Sequence, residues 1–354
     1  MKKTDNRAGC AVIGYGGMGG WHTRHLLESD VGRLLGIWDI NPAKNELAEA
    51  NGIRAYRSEE ELLAAPDVSV VTIATPNDSH VPIAVRAMRA GKNVISEKPV
   101  TLSSKLLEEA IAVSRETGRL FTVHQNRRWD CDYLMMRQIY ESGKLGEVFE
   151  VESRIQGSRG VPGDWRGHKP QGGGMLYDWG VHLIDQMLCI ISDRRPVAVG
   201  CRFENVTNKE VDDGFYLDIY FEGGIVGHVE VGTHHFIQLP RFFMSGTGGS
   251  AVINDWRDRA RCVINLDRTE YEVKPVVTAA GMTKTMAPRA EDTLLTEYVE
   301  RPDPDVHDFY RNFIAATRGE CEQTVTHDQM RRVMKIIDLA FMSGKARSVI
   351  PFDI

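Results

Sequence analysis

The chain has little that would tie it to a membrane, a nucleic acid or an oxidising compartment. Its six cysteines (Cys10, Cys131, Cys189, Cys201, Cys262, Cys321) are widely spaced and none stands in a CxxC pair. That argues against a disulfide framework or a zinc site, and for reduced thiols in a cytoplasmic protein. No basic run suggests a nucleic-acid partner and no basic amphipathic helix a membrane surface. The 43 lysines and arginines face 49 acids, a net charge of −6, with both signs scattered. The N-terminal residues are polar, and the apolar run behind them is too short and too glycine-rich for a signal peptide or a membrane span. Internal repeats and low-complexity tracts are also missing. What remains is an ordinary globular composition, 42% hydrophobic and 26% charged. At 354 residues the chain is too long for one ordinary core and suits two domains.

The first of these, residues 1–125, alternates strand and helix. Apolar or β-branched runs at 10–13, 33–38, 68–74, 92–96 and 120–123 read as strands. Helices are predicted at 18–29, at 42–51, in the stretch ending at Gly91, and at 103–117, with Gly52 and Gly118 as C-terminal stops. The alternation predicts an α/β Rossmann-type domain with a doubly wound parallel sheet. Residues 126–354 have a different texture. Strands at 147–155, 197–205, 215–221, 225–233, 242–245, 251–254 and 261–266 follow one another with short turns, and Gly223-Gly224 marks a hairpin. They predict an α+β domain on a large, mostly antiparallel open sheet. Helices are expected at 175–191, 305–318 and 326–343. The segment 276–302 is polar, lacks a clear period and reads as a long loop.

Chemistry enters with glycine. Gly14-x-Gly16-x-x-Gly19, with Tyr15, Gly17 and Met18 between, follows a strand and opens a helix. The first glycine permits a tight turn, the second lets a pyrophosphate approach the backbone, and the third lets the helix pack on the strand. The helix N-terminus supplies N–H groups and a positive dipole end for phosphate. An unliganded glycine turn would share the pattern. Asp39, at the end of the second strand, stands where a carboxylate accepts the adenosine ribose hydroxyls and repels a 2′-phosphate, which favours NAD over NADP. Lys44, Arg33 and Arg54 nearby leave NADP open. Thr75-Pro76-Asn77-Asp78-Ser79-His80 follows the third strand, so Thr75, Pro76, Asn77 and His80 are expected at the cofactor. A plain helix cap by Asn77, Asp78 or Ser79 accounts for the same residues.

Glu97-Lys98-Pro99 closes the fourth strand. Pro99 ends the strand pairing and biases Lys98 to an extended backbone, aiming a lysine at the ligand side of the sheet. A surface lysine is the competing reading. A second cluster runs from Gly172-Gly173-Gly174 through Asp178, Gly180 and His182 to Asp185. Asp178 and His182 are four apart on one helix face, a carboxylate and an imidazole suited to taking a proton from an alcohol, the acid orienting the base. Gly180 between them leaves room for a substrate or ring. A capped helix start and a satisfied core histidine explain the pair equally, and no third ligand at useful spacing points to a metal.

Taken together, residues 12–19, Ala90-Gly91-Lys92-Asn93-Val94 leading to Glu97-Lys98-Pro99, and the 172–185 cluster resemble the Gfo/Idh/MocA family, along nearly the whole chain. Asn126-Arg127-Arg128-Trp129-Asp130 is similar to a branch containing NADP-type scyllo-inositol dehydrogenases, from which Asp39 departs. The resemblance implies a nicotinamide-dependent oxidoreductase acting on a ring secondary alcohol of a sugar, inositol or related polyol. It implies Lys98 as the residue that bonds the reacting hydroxyl and relays its proton, His182 as the base and Asp178 as the completing acid. Glu97 and Lys98 join the cofactor contacts. Asn126, Arg159, Trp165 and Arg166 are expected at the substrate with Lys98, Asp178 and His182; His168, Lys169, His234 and His235 are weaker candidates. A homodimer or homotetramer through the C-terminal sheet is implied as well. Two other readings stay open: a redox-assisted glycoside-cleaving enzyme that reduces NAD transiently, and a non-catalytic NAD-binding regulator.

Overall fold

The structure, a computed structural model, describes residues 5–266 and 273–352. The outer ends of the two expected domains, residues 1–4 and 353–354, lie outside it. The chain opens with β1 (Ala8–Ile13), α1 (Gly17–Glu28), β2 (Gly32–Trp38), α2 (Pro42–Ala50), α3 (Glu59–Ala64), β3 (Val70–Ile73), α4 (His80–Arg89), β4 (Asn93–Ser96), α5 (Ser104–Thr117) and β5 (Phe121–Val123). The five strands are parallel, in the order β2-β1-β3-β4-β5. The order reverses between β1 and β3, so their carboxyl ends open a crevice, the place where such sheets bind ligands. Strands covered on both faces need apolar residues at every position. Accordingly β3 is buried throughout and β1 from Gly9 onward. Gly118 closes α5 in the left-handed conformation at φ 65°, and Gly52, at φ 73°, follows the end of α2.

Next come α6 (Cys131–Ser142), β6 (Val148–Gln156), α7 (Val181–Ile190), β7 (Pro196–Glu204), β8 (Gly214–Phe221), β9 (Val226–Gly232), β10 (Phe242–Gly246), β11 (Gly249–Ile253), β12 (Ala260–Asn265), β13 (Val276–Thr278), β14 (Gly281–Thr283), β15 (Leu294–Val299), α8 (Asp308–Thr317), α9 (His327–Ala346) and β16 (Ile350–Pro351). Nine strands form one sheet, ordered β15-β12-β11-β10-β6-β9-β8-β7-β16. Only β6 and β9 in it run parallel. Helices α6, α7 and α9 pack on this sheet. The Gly223-Gly224 turn between β8 and β9 takes positive φ at both residues, 81° and 84°.

The segment expected as one long loop, 276–302, instead holds the β13–β14 hairpin and β15, which adds to the sheet edge beside β12. An edge strand exposed over much of its length has no clean apolar alternation to read, and β15 has no fully buried position. Two helices were not anticipated. Of these α3 is only six residues long, whereas α6 buries Tyr133, Met135, Met136 and Ile139.

Candidate functional site

The glycine turn and the 172–185 cluster meet across one cleft of about 1200 Å³. At one end it is lined by Gly14, Gly16, Gly17, Met18 and Asp39, and at the other by Lys98, Asn126, Trp165, Arg166, Asp178 and His182. The local backbone explains the first group. Gly14 turns at φ 92°, where a Cβ would stand 2.5 Å from the Ala74 carbonyl oxygen. A Cβ on Gly19 would stand 1.9 Å from the Gly14 carbonyl oxygen, so α1 packs on the turn only through glycine. Gly16 and Gly17 have nothing within 4 Å of a would-be Cβ. The α1 N-terminus carries no side-chain cap and no acid in its first turn. A dinucleotide pyrophosphate fits this cradle, since open glycine backbone and uncapped N–H groups leave room and donors for it.

Asp39 stands beside that cradle. Its Oδ2 accepts the Tyr15 N–H at 2.7 Å and its Oδ1 the Asn41 N–H at 2.8 Å. Each oxygen keeps a lone pair for a ribose hydroxyl. The basic residues that left NADP open are engaged or displaced: Arg33 and Arg54 lie by Asp5 and Glu61, and none of Lys44, Arg33 and Arg54 lines the cleft. Arg86 does line it, and Glu59 holds its guanidinium through two bonds of 2.6 and 2.9 Å.

Thr75, Pro76 and Asn77 line the cleft, but His80 lies behind it. The His80 ring is buried between the Pro99 and Thr75 carbonyl oxygens, at 2.8 and 2.9 Å, and so braces the loop after β3 against the turn after β4. Desolvation pushes its pKa down. Asn77 is no helix cap: its Nδ2 donates to the Gly172 carbonyl at 2.9 Å, tying the two halves of the cleft together.

At the other end the Lys98 ammonium donates to the Asp178 carbonyl oxygen at 2.7 Å and to its Oδ1 at 3.0 Å. Arg166 Nε lies 3.4 Å from the other carboxylate oxygen. Burial alone would raise the Asp178 carboxyl, but Lys98 and Arg166 outweigh it and hold the pKa below the ordinary range. The expectation that Asp178 orients His182 is not what the geometry shows. Residues Leu176–Gly180 form a π-helical turn ahead of α7, Asp178 is taken by the two cations, and His182 Nδ1 is buried without a hydrogen-bond partner. Desolvation, then the Lys98 and Arg127 charges, push the His182 pKa well below 6.5, so the ring is neutral.

The glycines of the second cluster make room for protein rather than ligand. A Cβ on Gly172 would meet Leu102, one on Gly173 the Arg166 carbonyl, one on Gly174 the Asp212 carboxylate and one on Gly180 the Phe215 ring. Asp212 accepts the Leu176 N–H at 2.8 Å, and burial raises its pKa to about 6. Of the remaining candidates, Arg159, His168, Lys169, His234 and His235 do not line the cleft. The His168 ring and the Lys169 backbone N–H meet Glu210, and the His234 ring meets Thr207.

Sequence reasoning missed several residues that do line it: Glu59, Arg86, Arg127, Asp164, Gln171 and Trp179. Arg127 stacks 4.1 Å from the Trp179 ring, with Nη1 on Asp130 at 2.9 Å. It was visible only as part of the 126–130 motif. A group with metal-ligating side chains was missed too: His22, Glu97 and His124 are buried with their ligand atoms within 4.8 Å of one another. Both imidazoles contact Glu97 Oε1 at 2.8 Å.

Comparison with known proteins matches both halves of the chain. Residues 8–125 match the GFO_IDH_MocA profile, described as an oxidoreductase family with an NAD-binding Rossmann fold, and residues 133–252 match the GFO/IDH/MocA C-terminal domain. Uncharacterized oxidoreductase YdgJ of Escherichia coli K12 is 27% identical over 345 residues, covering 96% of this chain and 97% of that one. The scyllo-inositol 2-dehydrogenase (NADP(+)) IolW of Bacillus subtilis is 26% identical over 298 residues, covering 83% and 82%. The crystal structure of an NAD-binding protein from Listeria innocua superposes with a TM-score of 0.94 at 38% identity, covering 98% of this chain and 100% of that one. The cradle, the parallel sheet and these matches agree, and the chain belongs to the Gfo/Idh/MocA family of NAD-binding oxidoreductases.

Proposed function

We propose that the protein transfers a hydride between nicotinamide and a ring secondary alcohol of a sugar, inositol or related polyol. The observation that carries this reading is the Lys98 ammonium, fixed by Asp178 in the cleft that also contains the glycine cradle. When bound there, NAD supplies the hydride acceptor and NADH the donor. The chain's own residues do the rest. Lys98 bonds the reacting oxygen and relays its proton; Asp178, anchored also by Arg166, keeps that ammonium in place. His182, whose ring is neutral and which lines the cleft, accepts the proton in oxidation. Such transfer contributes roughly 10²–10⁴-fold.

Asn126, Arg166, Gln171 and the faces of Trp165 and Trp179 supply donors and flat apolar surface, the mixture a polyol ring requires. The similarity to a scyllo-inositol dehydrogenase supports the substrate class. In this reading residues 1–125 hold the cofactor and residues 126–354 shape the substrate side. A screen of inositols, sugars, their keto forms and aryl glycosides, followed by NADH fluorescence, tests it. Net change in NADH with a polyol or ketone is the expected result. Aglycone release without net NADH points to a redox glycosidase, and tight cofactor binding with no turnover to a regulator; either contradicts the proposal.

A further inference from the structure

Behind the cleft lies a buried group that the proposed proton transfer does not use. Glu97 follows β4, His22 lies on α1, His124 follows β5 and Tyr310 comes from α8. His22 and His124 are 0% and 1% exposed, and Glu97 is 5% exposed yet lines the cleft beside Lys98, Asp178 and His182. Glu97 Oε1 receives both His22 Nε2 and His124 Nδ1 at 2.8 Å, and Oε2 receives the Lys98 backbone N–H at 3.1 Å.

Burial works against an ionised Glu97, but the two histidines outweigh it and hold its pKa well below the ordinary value. An ionised carboxylate only accepts, so both imidazoles donate. His22, whose pKa desolvation lowers to about 4, is neutral and accepts a hydrogen bond from the Tyr310 hydroxyl on Nδ1. Trp21 and Phe309 wall the rings in. Among the described residues no lysine or arginine side chain pairs with Glu97; the nearby Lys98 ammonium is taken by Asp178. A carboxylate is thus held beside the reacting end of the cleft with imidazole and backbone donors alone.

Hydride transfer requires the reacting atoms to lie about 3–3.5 Å apart. The nicotinamide must therefore sit at the end of the cleft where Lys98 and His182 hold the substrate oxygen. Its ring is positive when oxidised and neutral when reduced. We propose that Glu97, positioned by His22 and His124, selectively stabilises the oxidised nicotinamide, makes the bound cofactor a stronger reductant and sets the enzyme toward reducing a ketone to the ring alcohol. In that direction the hydride passes from NADH to the carbonyl carbon, a proton reaches the oxygen from the Lys98–His182 side, and NAD+ remains. The inference rests on the dehydrogenase reading and adds a direction to it.

The test compares dissociation constants of NAD+ and NADH, by calorimetry and fluorescence at pH 8, above the ordinary imidazole range. In Glu97→Gln the ratio Kd(NAD+)/Kd(NADH) is expected to rise about tenfold, the order expected when one unit charge leaves a partly buried site. That change corresponds to about 30 mV for a two-electron couple. Glu97→Asp, which keeps the charge, should keep the ratio even where both affinities drop; a purely structural role would move the two variants alike. An unchanged ratio in Glu97→Gln overturns the proposal. The wild-type protein carries a second test that needs no variant: NAD+ should bind at least as tightly as NADH, and a preference for NADH of about tenfold or more overturns the proposal. If both cofactors bind and turnover needs Lys98 while the ratio stays fixed, the Glu97 proposal alone fails. If neither binds, the cofactor reading fails with it.

Discussion

Asp39 works through both of its carboxylate oxygens, one on the glycine turn and one on the start of α2. Replacing it with serine should therefore do two things: relax discrimination against NADP and lower NADH affinity by loosening the turn at Tyr15. Titration of the variant with NADH and NADPH checks this, and an unmoved preference contradicts the ribose assignment. Asp39 and the three motif glycines could be read from the sequence because each is demanded by local backbone or by the end of a strand. Arg127, Glu59 and Trp179 could not, since they reach the cleft from segments brought together only by folding. The same is true of Glu97 with His22 and His124, which lie far apart in the chain and touch only because β4 neighbours β5 and α1 packs near them.

At the scale of the element, α1 is held to β1 by the absence of a side chain. A Gly19→Ala substitution would drive a methyl group into the Gly14 carbonyl, and the backbone must shift to relieve it. A loss of about 1–3 kcal/mol is expected, with weaker NADH binding, measured by denaturant unfolding and titration. At the other end of the chain, α9 starts with a capping box in which Thr326 and Gln329 satisfy each other's backbone N–H groups. Thr326→Ala should cost about 1 kcal/mol and leave cofactor affinity unchanged. Both helices were legible, since glycine and capping residues act locally. By contrast β15 was not: an edge strand is fixed by its partner β12 rather than by its own pattern. Asp178 pairs with Lys98 rather than His182 for a similar reason. Spacing of four places two side chains on one face, but the Lys98 ammonium from the turn after β4 competes for the acid.

On the scale of the whole molecule, buried histidines in both halves of the chain make stability depend on pH. His22 and His182 are buried and neutral in the folded state, with pKa values below that of an unfolded imidazole. The unfolded chain binds protons first as pH drops, so stability is full above about pH 6.5 and declines below it. For His22 the window runs from 6.5 to about 4, on the order of 3 kcal/mol. Denaturant midpoints between pH 7.5 and 4.5 should fall in the wild type and fall less steeply in His22→Phe; equal slopes contradict this assignment. Among the described residues no helix is long and apolar enough to cross a membrane. Phe236, Ile237 and Leu239 stand exposed in the loop after β9, and light scattering tests whether the chain pairs as the expected homodimer or homotetramer.

In the proposed function Lys98 carries the proton of the hydride transfer, and its contact with the cofactor adds little to cofactor affinity. The most direct measurement is kcat/KM of Lys98→Met on the best polyol or ketone, alongside its Kd for NADH. A fall of roughly 10²–10⁴-fold in kcat/KM is expected, with NADH affinity nearly kept. Turnover equal to that of the wild type would contradict it.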